Sequence, residues 1–143
     1  NRKHKTMTKQ KPVVELTIPV LPDMELLATQ TSAAVAKHMN LDEEKTAEIN
    51  MALSEACINA FEHSESKSDI EIHFKISDDR LIIQVTDSGK GFDKSKVDIP
   101  NIEEKISSEH KRGWGLKLIE ELMDTVQFES SEDGTTVTMT KNK

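Results

Sequence analysis

Along Glu55-Ala56-Cys57-Ile58-Asn59-Ala60-Phe61-Glu62-His63, an acid, an amide and an imidazole recur at i, i+4 and i+8. In a helix that spacing sets Glu55, Asn59 and His63 in one row. The row runs along the edge of an apolar stripe formed by Ile49, Leu53, Ala56, Cys57 and Ala60, as a period of 3.6 residues requires. Ala52, Ala56 and Ala60 are small and leave room for a ligand against the helix. An acid and an amide so placed suit a magnesium–phosphate site, because magnesium takes hard oxygen ligands and few protein groups. Asn59 can lend a carbonyl oxygen, and Glu55 can orient or deprotonate a nucleophile beside a terminal phosphate. The plain alternative is a surface row without chemistry.

Two glycine clusters add to this. Leu81 to Thr86 reads as an apolar strand that ends in Asp87-Ser88-Gly89-Lys90-Gly91. A carboxylate at the strand end is an acceptor and matches the amino group of adenine, while Gly89 and Gly91 let the backbone approach a flat base. An ordinary Asp-Ser-Gly turn is the alternative. Lys111-Arg112-Gly113-Trp114-Gly115-Leu116 then opens a helix. Free N–H groups at such a helix start, with positive charge just before it, make a natural phosphate cradle. Neither a P-loop nor a dinucleotide-binding fingerprint is present, since no Gly-Lys-Ser/Thr follows and no βαβ unit surrounds the glycines.

The elements that must position these residues can be read in order. Val13 to Ile18 is a short strand closed by Pro19 and Pro22. Asp23 stands where a helix cap belongs, with Leu26, Leu27, Thr31, Ala34, Val35 and His38 at helical spacing as far as Asn40. A second helix starts near Asp42, carries Glu43 and Glu44 in its first turn, and ends near His63. The polar stretch 64–68 is expected to be solvated. Ile70, Ile72, Phe74 and Ile76 alternate with Glu71, His73 and Lys75, a strand with one wet face. After a turn at residues 77–80 comes its partner strand, then an aperiodic segment from Asp87 to Arg112 of the length expected for a functional lid. A third helix from Trp114 to Met123 and a hairpin around Asp133-Gly134 complete the chain. Without βα alternation, the order predicts an α+β two-layer sandwich, a mixed sheet with helices on one face.

The 143 residues fit one domain, and residues 1–11 read as a disordered tail or an expression remnant ahead of a domain at 12–143. Acidic residues outnumber basic ones 26 to 19, a net charge of −7, which opposes nucleic-acid phosphates. Cys57 is the single cysteine, so no internal disulfide is expected, and its apolar neighbours predict burial. No apolar run reaches the roughly 18 residues of a membrane span; a cytoplasmic protein is expected.

Taken together, these motifs resemble the Bergerat-fold (GHKL) ATPases. Glu55 to His63 resembles their N-box, Asp87 to Gly91 the first glycine box, and Gly113 to Leu116 the second. Gly134-Thr135-Thr136-Val137 resembles the strand start that closes the adenine side. The compact length and the Glu-x-x-x-Asn-Ala-x-x-His form are most similar to the bacterial anti-sigma factor serine/threonine kinases. The resemblance implies binding of ATP and Mg2+, with Glu55 as general base and Asn59 as metal ligand. It implies that Asp87 contacts adenine, that Arg112 lies near the phosphates or the protein substrate, and that His63, Gly89, Lys90, Gly91, Gly113, Trp114, Gly115, Leu116 and Thr135 line the nucleotide. It further implies a homodimer that binds a sigma factor and phosphorylates a STAS-type antagonist. The chain differs from the usual pattern in the bulk of Trp114 and in the acidic lid residues Glu103, Glu104 and Glu109. A non-catalytic module, in which ATP orders the lid to control a partner surface, is the second expectation. A sensor histidine kinase fits less well, because the only upstream histidine before the first strand is His4 in a polar tail.

Overall fold

Alternation of apolar and polar residues makes the strands, and each strand turns its apolar side toward the same helical layer. The structure is a computed structural model that describes residues 12–64, 69–87, 115–132 and 134–143. Its elements are β1 (Val13–Ile18), α1 (Glu25–His38), α2 (Glu43–His63), β2 (Ile70–Ile76), β3 (Arg80–Asp87), α3 (helical over 115–122), β4 (Thr125–Ser131) and β5 (Gly134–Asn142). The five strands form one sheet in the order β1-β2-β3-β5-β4. Every neighbouring pair is antiparallel, which corrects the expected mixed sheet. Strand direction is set by the connections, and among the described strands no parallel pair occurs.

The inward residues Ile70, Ile72, Phe74, Leu81, Ile83, Val85, Val137 and Met139 are buried with Ile49, Leu53 and Ile119 of the helices. The outward face is polar and joined by side chains across strands. Gln84 donates to Thr138 at 3.4 Å, and the Thr86 and Thr136 hydroxyls lie 3.2 Å apart. Such cross-strand pairs stabilise a sheet modestly. His73 sits on this face, 3.8 Å from Glu71, as its alternating position implied.

The α2 helix follows its sequence signals closely. Asp42 caps it by accepting from the Lys45 N–H at 2.7 Å, with Glu43 and Glu44 in the first turn. Ile49, Leu53, Ala56, Cys57 and Ala60 are all buried, as the wheel required. Burial pushes the Cys57 thiol up to about 12, and the Glu25 carboxylate adds to the effect.

The α1 helix departs from expectation at its start and in its phase. Asp23 adopts a left-handed φ of 68°, so its side chain does not cap; Met24 takes the cap position without a side-chain bond. The buried face is Ala28, Ser32, Val35 and Ala36, whereas Leu26 and Leu27 remain 51% and 43% exposed. Small residues let α1 close on its neighbours, and size rather than apolarity decided the phase. Its end is a Schellman motif: Asn40 has φ 60°, its N–H bonds to Lys37 O, and Leu41 N bonds to Ala36 O, both at 3.0 Å. At the end of α2, Ser64 is buried rather than solvated, with its Oγ unpartnered. The rest of that stretch, 65–68, lies outside the described residues. None of the described helices is long and apolar enough to cross a membrane.

Candidate functional site

The site begins on α2, where the Glu55–Asn59 row lies beside the buried stripe. Glu55 is half-buried and Asn59 is buried. Both meet Gly115, the first described residue of α3. A methyl group placed on Gly115 would stand 2.7 Å from Asn59 Nδ2 and 2.9 Å from Glu55 Oε2. An alanine at 115 would fit only if the ends of the Asn59 and Glu55 side chains moved aside, so glycine lets this helix lie directly on the acid and the amide as they stand. The reason is space, since Gly115 is not among the glycines with positive φ. Two motifs far apart in the chain thereby converge on one point.

A second pair stands at the adjoining strand ends. Asp87 closes β3 and Thr135 follows the first residue of β5, and the register makes them direct partners. Both side chains are buried. The Thr135 hydroxyl lies 3.3 Å from that of Ser130 on β4. Because α2 packs against both β3 and β5, this pair belongs to the same helix-facing layer as Asn59. A buried carboxylate is expensive unless its oxygens accept hydrogen bonds, so Asp87 is an acceptor group held at this strand end.

The remaining expected positions are distributed unevenly. Leu116 is half-buried in α3 and packs against the core. Gly89, Lys90, Gly91, Arg112, Gly113 and Trp114 lie outside the described residues, as does the side chain of His63. The described residues therefore bring together Glu55, Asn59 and Gly115 at one locus and Asp87 with Thr135 at another.

Among the described residues, no cluster of three or more His, Cys, Asp or Glu side chains can hold a metal by itself. That donor set fits magnesium bound with a polyphosphate, for which one or two protein oxygens suffice. Among the described residues, Asn59 and Glu55 beside Gly115 have the oxygens to serve it.

Sequence spacing did not single out two charged residues next to this framework. Lys141 lies on the inward side of β5, where Thr135, Val137 and Met139 are also buried. Its ammonium donates to Glu48 Oε1 of α2 at 2.9 Å and to the carbonyl of Leu122 at the end of α3. A lysine in the buried register of an alternating strand is the signal that pointed to it.

Known proteins resemble this chain in both sequence and fold. The histidine kinase-like ATPase domain family matches residues 19–141. The chain is 36% identical over 134 residues to the serine-protein kinase RsbW of Bacillus cereus strain Q1, covering 90% of this chain and 83% of the relative. RsbW of Bacillus mycoides strain KBAB4 matches with the same identity and coverage. In fold, the chain is similar to a crystal structure of the RsbU and RsbW domains of a Mycobacterium tuberculosis protein, with TM-score 0.68 and 20% identity. That match covers 91% of this chain and 32% of the longer one. It is also similar to the SiaB-SiaC complex from Pseudomonas aeruginosa, with TM-score 0.59 and 10% identity over 99% of this chain and 96% of that one. On this agreement of sequence and fold, the chain belongs to the histidine kinase-like ATPase family, with the RsbW serine-protein kinases among its relatives.

Proposed function

We propose that this protein is an ATP- and magnesium-dependent serine/threonine kinase that acts on a STAS-type antagonist protein and binds a sigma factor as a homodimer. The observation that carries the reading is the seating of Gly115 on Glu55 and Asn59. It joins a helix whose glycine-rich approach suits phosphate in the sequence reading to an acid and an amide suited to proton and metal chemistry. Asp87 and Thr135 supply the adenine end, where a carboxylate accepts from the exocyclic amine.

In this reading Asn59 holds the magnesium ion through its side-chain oxygen. The ion neutralises phosphate charge when bound. Glu55 accepts the proton of the attacking serine or threonine hydroxyl at a carboxylate oxygen, a contribution of about 10²–10⁴ in rate. The N–H groups at the start of α3 orient the polyphosphate, and Arg112 adds positive charge near the phosphates or the protein substrate. Positioning and charge neutralisation supply most of the catalysis. The similarity to proteins named as serine-protein kinases supports transfer to a hydroxyl.

The test is incubation with γ-labelled ATP, magnesium and a panel of STAS-domain proteins. Label is expected on a Ser or Thr of one partner. Glu55→Gln is expected to lower its rate at least a hundredfold while nucleotide affinity changes less than about threefold. Nucleotide binding without transfer to any partner would instead leave a regulatory module in which ATP controls a binding surface.

A further inference from the structure

The α2 and α3 helices touch the same stripe at both of its ends. Glu48, Ala52, Glu55 and Asn59 follow one another at i, i+4, i+7 and i+11 along α2, so they lie on one side of that helix. Gly115, the first described residue of α3, meets this stripe at Glu55 and Asn59. Leu122, the last helical residue of α3, meets it at Glu48 through the Lys141 ammonium. From residue 115 to 122 a helix rises about 10 Å, and from 48 to 55 it rises about the same. The helices therefore run antiparallel with a fixed contact at each end, and Ile119, midway along α3, is fully buried in the core.

We infer that Lys141 is a positioning residue for the nucleotide site. It sets the longitudinal placement of α3 along α2 and thereby the position of Gly115 over Glu55 and Asn59. The inference rests on the reading of that locus as the nucleotide site. Three features make Lys141 suited to the task. It is 93% buried, at 7% relative exposure, so its charge is held by protein groups rather than by water. It reaches two helices from a third element, the internal strand β5. One of its acceptors is the carbonyl at the C-terminal end of α3, where a cation is favoured by the unpaired carbonyls. A slip of α3 by even 1 Å would move Gly115 off Asn59 and Glu55, and displacements of that size reduce catalysis strongly.

A merely stabilising ion pair would lower the melting temperature and leave the site unchanged. The experiment uses the full chain, well below its melting temperature, as Lys141→Met, Lys141→Arg and Glu48→Gln. Three quantities are read: equilibrium affinity for Mg-ADP, KM for ATP against kcat, and amide hydrogen exchange of Leu116 to Ile119 without nucleotide. Lys141→Met is expected to weaken Mg-ADP binding and raise KM at least tenfold, with kcat falling less. Exchange in α3 should quicken about tenfold while Phe74 and Ile83 keep their protection. Lys141→Arg should restore most of the affinity. Glu48→Gln, which spares the bond to Leu122, should give a smaller effect of the same kind and serves if Lys141→Met does not fold. Lowered melting temperature with unaltered nucleotide affinity and unaltered α3 exchange would overturn the inference. If the unsubstituted protein takes up no Mg-ADP, the nucleotide reading fails, and the exchange data still decide whether Lys141 places α3.

Discussion

At Gly115 the acid and the amide of α2 stand directly against the backbone of α3. The glycine hydrogen atom occupies space that a methyl group would take only by displacing the ends of the Asn59 and Glu55 side chains. Gly115→Ala is therefore expected to displace the Asn59 amide and the Glu55 carboxylate and weaken Mg-ATP binding at least tenfold, measured by calorimetry. Its effect on helix propensity alone would be favourable, by about 1 kcal/mol, so the direction of the result separates the two effects. Cys57 allows a test of pH dependence at the same scale. Below its ordinary value of 9.0 the thiol is protonated in folded and unfolded chains alike, and its contribution is fully present. Between 9.0 and about 12 the unfolded chain releases the proton and the folded chain keeps it. Folding stability then falls as pH rises, by about 1 kcal/mol by roughly pH 10. Urea midpoints taken at about pH 8 and about pH 10 should show this component, and Cys57→Ala should lack it.

At the level of elements, α2 can be dissected without touching chemistry. Asp42 caps it two turns before Glu48 and far from Asn59. Asp42→Ala should cost about 1 kcal/mol in chemical denaturation and leave nucleotide affinity within about twofold; a large affinity loss would mean that the whole helix shifts when its cap goes. This helix was also the most legible in the sequence, because cap, acidic first turn and buried stripe all point to one register. The strand β2 was legible for a similar reason, its alternation being unbroken. The α1 helix was not, since Leu26 and Leu27 carry the apolarity while Ala28, Ser32 and Ala36 take the interior. Strand direction was also hidden, because a period of two is the same for parallel and antiparallel pairing. The Glu55–Asn59 row showed itself through spacing alone. Its closure by Gly115 did not, because that contact depends on where an entire helix lands on another.

For the whole molecule, the prediction is linkage between ligand and fold. A nucleotide that binds only the folded chain at a hundred times its Kd adds about 2.7 kcal/mol. For a domain of this size that corresponds to a rise of roughly 10 °C in Tm. Scanning calorimetry with Mg-ATP should show the rise, and Asn59→Ala should lack it. Identical melting with and without nucleotide would count against the site as a whole.

The order β1-β2-β3-β5-β4 also governs how the protein comes into being. The strand that supplies Thr135 and Lys141 is the last of the five to leave the ribosome, yet it must insert between β3 and β4 rather than add at a border. Until it does so, β3 presents an open edge, Asp87 lacks its neighbour and α3 lacks its anchor. Such late, non-local pairing is slow and exposes unpaired edges. A nascent chain halted before residue 134 can assemble much of its apolar interior and still be unable to hold nucleotide, so competence to bind arrives in one step with the final strand.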